Sequence, residues 1–215
     1  WTAAIRMDLF GRHDIPRADR VRVAEKFRDA GAVVLGYSLE SANEEILKAM
    51  NKRVESKYFA EQINLLREVG DIVSSTSVVF GYPQETKETI AETMGLCRDL
   101  SVYPSPGFLL PLPATEMWRY AVSNGLISNT EEFLDTLTER QDIVINFTKM
   151  SDDELQGEVL NWLDIMNTEM ELGFKKENLI KTGGINKHTK NQVEKLQVHT
   201  KLDPQLNYAS VEGGI

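Results

Sequence analysis

Four apolar stretches of this chain stop at residues that could do chemistry: Arg6 and Asp8, then Ser38, Glu40 and Ser41, then Ser77, Gly81 and Glu85, then Pro111, Pro113 and Thr115. In parallel α/β proteins, ligands lie at such strand ends. Glu40 offers a carboxylate beside a helix start, where the dipole stabilises it with or without a ligand. Arg6 offers a forked guanidinium, either for a ligand's carboxylate or for Asp8 or Glu40 of the chain itself. Gly81 lets backbone pass close to a bound molecule, Pro83 fixes the turn, and Glu85-Thr86 opens a helix at Lys87. Metal chemistry is not expected from these residues. Cys97 is the only cysteine and falls on an apolar helix face, His13 lies in a polar loop, and His188 and His199 lie in a polar tail.

The elements that must position these groups alternate. A strand over Thr2 to Leu9 leads to a helix over Ala18 to Ala30, with Val23, Ala24 and Phe27 as its apolar stripe and Gly31 at its end. The second strand, Ala32 to Leu39, is nearly all apolar, as expected of a parallel strand covered on both faces. Ser41 and Glu44 form a capping box that starts the next helix, and a further helix spans Lys57 to Val69. The third strand covers Ile72 to Phe80, helix Lys87 to Leu100 follows, and the fourth strand covers Gly107 to Leu110. Glu116 to Asn124 is helical. Repeats of roughly 30 to 40 residues mean βαβ units with right-handed crossovers. Four units cannot close a barrel, so the sheet is expected to be open, with a free edge at the first strand.

Past Ile127 the pattern is helix without strand. Helices are expected over Thr130 to Arg140 and Ser151 to Gly173, the second carrying Leu155, Val159, Trp162, Leu163, Met166 and Met170 at helical spacing, a stripe that reads as core. Lys181 to Lys201 holds five lysines and one glutamate and reads as a solvated tail. The net charge of −9, from 24 basic and 33 acidic residues, opposes nucleic-acid binding over the surface as a whole without excluding a local basic patch. No apolar run of roughly 18 residues is present, so no membrane span is expected and the chain reads as cytoplasmic. It starts on Trp1 in what reads as a strand, so a preceding segment of the same polypeptide is expected.

Three segments carry a resemblance. Leu39-Glu40-Ser41-Ala42-Asn43-Glu44-Glu45-Ile46-Leu47-Lys48-Ala49-Met50-Asn51-Lys52 resembles the "G-[IL]-E-S-x-[SN]-x-x-[IV]-L-x-x-M-N-K" segment of radical S-adenosylmethionine (radical SAM) enzymes, in the branch of methylthiotransferases and cobalamin-dependent members. Val79-Phe80-Gly81-Tyr82-Pro83-Gln84-Glu85-Thr86 resembles that branch's "F-I-x-G-x-P-G-E-T". Pro111-Leu112-Pro113-Ala114-Thr115-Glu116-Met117 followed by Gly125-Leu126-Ile127 resembles its "P-x-P-G-T-x-[LM]…G-[LW]-[IL]". The chain departs from the pattern at Ser38, Gln84 and Ala114, each standing where the branch has glycine.

The resemblance implies an α/β fold: the C-terminal four βα units of a partial (β/α)6 TIM-like barrel over 1–127, then a helical extension over 128–180 and a polar tail over 181–215. It implies SAM and a 4Fe-4S cluster that cleaves it reductively to a 5′-deoxyadenosyl radical, an electron donor, and in this branch often a cobalamin-binding domain upstream. The cluster's CxxxCxxC ligands are expected outside this chain, since Cys97 stands alone. For cofactor contact the resemblance points to Arg6, Ser38, Glu40, Ser77, Val79, Phe80, Gly81, Tyr82 and Pro111. Glu40 and Ser38 would meet ribose and methionine groups, and Val79 to Tyr82 would form the adenine slot. A non-catalytic binding module built on the same barrel is the alternative.

Overall fold

The computed structural model of the chain describes residues 1–137 and 140–180, so the tail expected over 181–215 lies outside the described residues. Strands β1 (Thr2–Ala4), β2 (Val34–Glu40), β3 (Val73–Phe80) and β4 (Ser105–Phe108) form one open parallel sheet in sequential order. Helix α1 (Arg17–Asp29) links β1 to β2, α2 (Glu44–Ala49) and α3 (Ser56–Val69) link β2 to β3, and α4 (Lys87–Asp99) links β3 to β4. Helices α5 (Glu116–Ser123), α6 (Thr130–Asp135) and α7 (Asp152–Glu169) follow. This is the open parallel α/β sheet expected from the repeat of strand and helix, in the order that the partial barrel implied by the resemblance requires.

Side-chain alternation divides the sheet into two unlike faces. Leu35, Tyr37 and Leu39 of β2, with Val78 and Phe80 of β3, are buried in one core with Phe59, Ile63 and Leu66 of α3 and Ile90, Met94 and Cys97 of α4. The residues between them, Gly36, Ser38, Ser75 and Ser77, turn the other way and stay partly accessible. The second strand is therefore not covered by apolar residues on both faces, as its composition suggested. Gly36 and Ser38 interrupt its apolar run at every second position, so burial alternates along it.

Several boundaries differ from expectation for identifiable reasons. β1 stops at Ala4 because the chain turns at once, Leu9 N–H donating to Arg6 O and Arg12 N–H to Asp8 O, while Phe10 is carried into the core. Val23 of α1 is exposed at 40%, while α1 buries Ala24 as expected and, beside it, Arg20. Its side chain is only 6% exposed and donates to Phe10 O, Ile15 O and Glu61, tying the post-β1 loop to α1 and α3. β4 begins at Ser105, two residues early, and α6 ends at Asp135 rather than Arg140.

The extension packs as part of the same fold. Leu155, Val159, Leu163 and Met166 of α7 join the main core, and Arg98 of α4 lies over the Trp162 ring. A second apolar cluster, Leu109, Ala121, Ile127, Phe133 and Phe147, packs against Val79 and Tyr82. Among the described residues no helix is long and apolar enough to cross a membrane. Arg20→Met should lower stability by about 1–3 kcal/mol, because it strands the buried Phe10 carbonyl and frees the partly buried Ile15 carbonyl and Glu61. Urea melts at unchanged slope measure this, and an unmoved midpoint would show that the guanidinium anchors nothing.

Candidate functional site

The concave face of the sheet encloses a trough of about 370 Å³, lined by Ala4, Gly36, Ser38, Ser75, Ser77 and Ser105 among others. Ser38 Oγ and Ser77 Oγ stand 2.9 Å apart, so neighbouring strands place two of the expected site residues in direct contact. Ser105 pairs with Ser77 in register and extends the same row of hydroxyls.

Above the trough β2 bulges. Ser38 lies opposite Ser77 and Glu40 opposite Val78, which leaves Leu39 as the extra residue. Thr76 makes the bulge possible, its hydroxyl donating to Tyr37 O at 2.8 Å and accepting from Leu39 N–H at 3.2 Å. Glu40 then adopts φ 63°, a left-handed conformation that a non-glycine residue holds at a cost of roughly 1–3 kcal/mol and that concentrates at functional sites. Its carboxylate is 17% exposed and meets Lys52 Nζ at 2.9 Å. Burial, and after it the charge of Glu40, pushes the Tyr82 phenol up to about 12.

The long sequence segment from Leu39 to Lys52 thus folds back on itself. Ile46 and Leu47 anchor it in the apolar interior, Asn51 takes φ 55° to end α2, and Lys52 returns to Glu40. The capping box expected at Ser41 and Glu44 is not formed. Asn43 is the N-cap, accepting from Glu45 N–H and Ile46 N–H, because Ser41 is drawn into the bulge and bonds Thr93 of α4.

At the end of β3, Gly81 has φ 105°, which forbids most side chains although the space beside it is ordinary. Its N–H is taken by Glu85 Oε2 at 3.3 Å, and Thr89 donates to the other carboxylate oxygen. Phe80 turns into the helix-side core and its carbonyl accepts from Leu109 N–H, so neither its ring nor its carbonyl faces the trough. Val79 and Tyr82 are half-buried against the second cluster. Arg6 makes a two-point pair with Asp8, at 2.8 and 3.0 Å, and not with Glu40. Pro111 is buried in the β4–α5 loop. Of the two departures from glycine in the turn motifs, Ala114 keeps a left-handed φ of 68° while Gln84 has no positive φ.

The groups that sequence reading passed over are Thr76 and Ser105, with Lys52 seen only as part of a motif, and Glu85, expected as a strand-end candidate, closes the Gly81 turn. Ser105 had a signal in its alternation with Gly107, whereas Thr76 had none until the bulge was visible. As for cofactors, the described residues do not fit an iron–sulfur cluster. Burial pushes the Cys97 thiol up to about 12, and no three His, Cys, Asp or Glu side chains of the described residues are grouped to hold a metal ion. A nucleoside with its charged tail does suit the donor set, since hydroxyls, a carboxylate and a half-buried aromatic converge at adjacent strand ends.

Residues 11–97 match the model of the Radical SAM superfamily. Over 128 residues the chain is 25% identical to an uncharacterized methyltransferase of Pyrococcus horikoshii, covering 59% of this chain and 26% of that protein. Over 82 residues it is 36% identical to the tRNA-2-methylthio-N(6)-dimethylallyladenosine synthase of Rickettsia akari, covering 34% of this chain and 18% of that one. The matches thus span about a quarter or less of these relatives' length. The structure of coproporphyrinogen III oxidase from Escherichia coli, described as a radical SAM enzyme, is similar in fold, with a TM-score of 0.50 at 15% identity over 78% of this chain and 32% of that one.

Two expected outcomes follow from the turn chemistry. Burial raises the Glu85 carboxyl from 4.5 to about 7, against the hydrogen bonds of Thr89 and Gly81. The folded state therefore binds this proton more tightly than the unfolded chain. The stabilisation is complete below pH 4.5 and lost as pH rises toward 7, a change on the order of 3 kcal/mol. Glu85→Gln should flatten that part of the stability–pH curve, and an unchanged slope in urea melts between pH 4.5 and 7.5 would sink the assignment. Ala114→Gly should raise the urea midpoint, by up to about 1 kcal/mol, through relief of the left-handed backbone.

Proposed function

We propose, from the premise that residues 11–97 of this chain belong to the Radical SAM superfamily, that the chain supplies SAM- and substrate-facing strand ends to a radical SAM enzyme. The cluster would be ligated by residues other than its own. The β2 bulge carries this reading. It spends backbone strain to hold the Glu40 carboxylate just past the Ser38–Ser77 pair, an arrangement that packing alone does not require.

Glu40 would accept hydrogen bonds from ribose hydroxyls, Ser38 and Ser77 would donate to the charged tail, and Val79 with Tyr82 would flank the adenine. Gly81 and Phe80 would shape this slot through backbone only, and Pro111 would bound it from the β4 side. Arg6 could pair with a ligand carboxylate only by giving up part of its fork to Asp8. When bound, SAM supplies a hydrogen-abstracting radical after one-electron reduction at the cluster. The chain's own part is to orient the cofactor and exclude water, and the apolar cluster of Leu109, Ile127, Phe133 and Phe147 beside Val79 and Tyr82 serves the second purpose.

Methylation or methylthiolation is the reaction type we favour over rearrangement, supported by the names of the curated relatives. A cobalamin-binding domain elsewhere in the polypeptide and an external electron donor belong to the same proposal and rest on the sequence resemblance. In the complete polypeptide, reconstituted anaerobically with iron and sulfide, 5′-deoxyadenosine should form only with SAM and a one-electron reductant. Glu40→Gln should weaken SAM binding about tenfold or more, about 1.4 kcal/mol, without unfolding the protein. Failure of the complete polypeptide to form 5′-deoxyadenosine overturns the reading.

A further inference from the structure

Arg140 comes from the loop after α6 and reaches across the concave face of β4. Its carbonyl accepts Phe108 N–H at 2.6 Å on the strand's outer edge, and its Nη2 donates to Ser105 Oγ at 2.8 Å. Its stem lies over Gly107, where an added Cβ would stand 3.1 Å from Cδ and 3.2 Å from Cγ. Gly107 is thus the position that lets the arginine lie flat, and three contacts hold the guanidinium at the β4 wall of the trough.

That guanidinium has no carboxylate partner among the described residues, whereas Arg6, Arg12, Arg17, Arg20 and Arg28 are each paired with one. The trough beside it is lined by serine and threonine hydroxyls, by Ala4, Ile5, Gly36 and Tyr37, and by no acid. Ser105 Oγ accepts from Arg140, which leaves its own proton to give. A fixed cation with several N–H donors to spare, next to a spare hydroxyl donor and without a negative charge, is complementary to an oxyanion.

The geometry points to an oxyanion site in which Arg140 and Ser105, at the β4 edge and apart from the Ser38–Ser77 pair that the SAM tail would occupy, hold a carboxylate or phosphate group of the molecule acted upon. Assigning the anion to the substrate rests on the radical SAM reading, while the binding of an anion does not. The segment that follows α6 would then select substrates by their charge. It would do so from the sheet edge farthest from β1.

The test uses the complete polypeptide, isotope-labelled at arginine and glycine, titrated with inorganic phosphate and separately with acetate at constant ionic strength. Saturable shifts of the Gly107 amide and the Arg140 Nε signal are expected with at least one anion, and the stronger response tells phosphate from carboxylate. Arg140→Gln should weaken that binding about tenfold or more. Gly107→Ala keeps the charge but lifts the stem, and should weaken it several-fold. Arg140→Gln leaves the backbone bond to Phe108 in place, whereas the Cβ of Gly107→Ala also presses on the Arg140 carbonyl at 3.3 Å. If Arg140→Gln does not fold, Ser105→Ala, which removes the guanidinium's anchor and should likewise weaken binding, decides with Gly107→Ala. Absence of saturable shifts with both anions, or equal affinity in the variants, overturns the site. Either result leaves the formation of 5′-deoxyadenosine untouched, so the two readings fail separately.

Discussion

The alternation of large and small side chains along β2 and β3 is the constraint from which the rest of this structure follows. Large apolar residues at every second position weld the sheet to α1, α3, α4 and α7, and the glycine and serines between them leave the opposite face hollow. A barrel interior is ordinarily filled by layers of branched side chains. Here the same positions carry Gly36, Ser38, Ser75, Ser77 and Ser105, so the interior is a polar trough. Most of the sheet's packing is on one face, and on the other only the end of β3, at Val79, meets an apolar cluster, which leaves the serine row free of packing.

Strand ends on such a sheet must leave the ladder without orphaning backbone groups, and this chain uses its own side chains for that. Thr76 satisfies Leu39 N–H at the β2 bulge, and Glu85 satisfies Gly81 N–H after β3. In both places a side chain of the protein closes the turn, so the turn is set before any ligand arrives. Preorganisation of this kind lowers the cost of binding, because the backbone has no entropy left to lose there.

The order of elements and the parallel sheet were legible in the sequence because each strand and helix carries its own period, from Leu35-Tyr37-Leu39 to Leu155-Val159-Leu163. The contact of Ser38 with Ser77 was legible as two strand ends, though not as a hydrogen bond. Less could be read where tertiary contact overrode local pattern. Arg20 takes the buried place on α1 that the apolar stripe assigned to Val23, since two carbonyls and Glu61 converge on it. Ser41 leaves its capping position to Asn43 because Thr93, far along the chain, competes for its hydroxyl. Arg140 could not have been placed from sequence at all, since nothing near residue 140 signals that the chain passes the edge of β4.

The extension is the element whose role changes most once both faces of the sheet are considered. Helix α7 buries its apolar stripe among the helices, where Leu155 reaches within 3.9 Å of the position a Gly81 side chain would occupy. Residues of α5, α6 and the loop at Phe147 pack on the other side, against Val79 and Tyr82. One continuous segment therefore supports the turn after β3 from behind and encloses it from the front. A substitution in the extension therefore bears on the turn from both sides, through Leu155 behind Gly81 and through the cluster against Val79 and Tyr82.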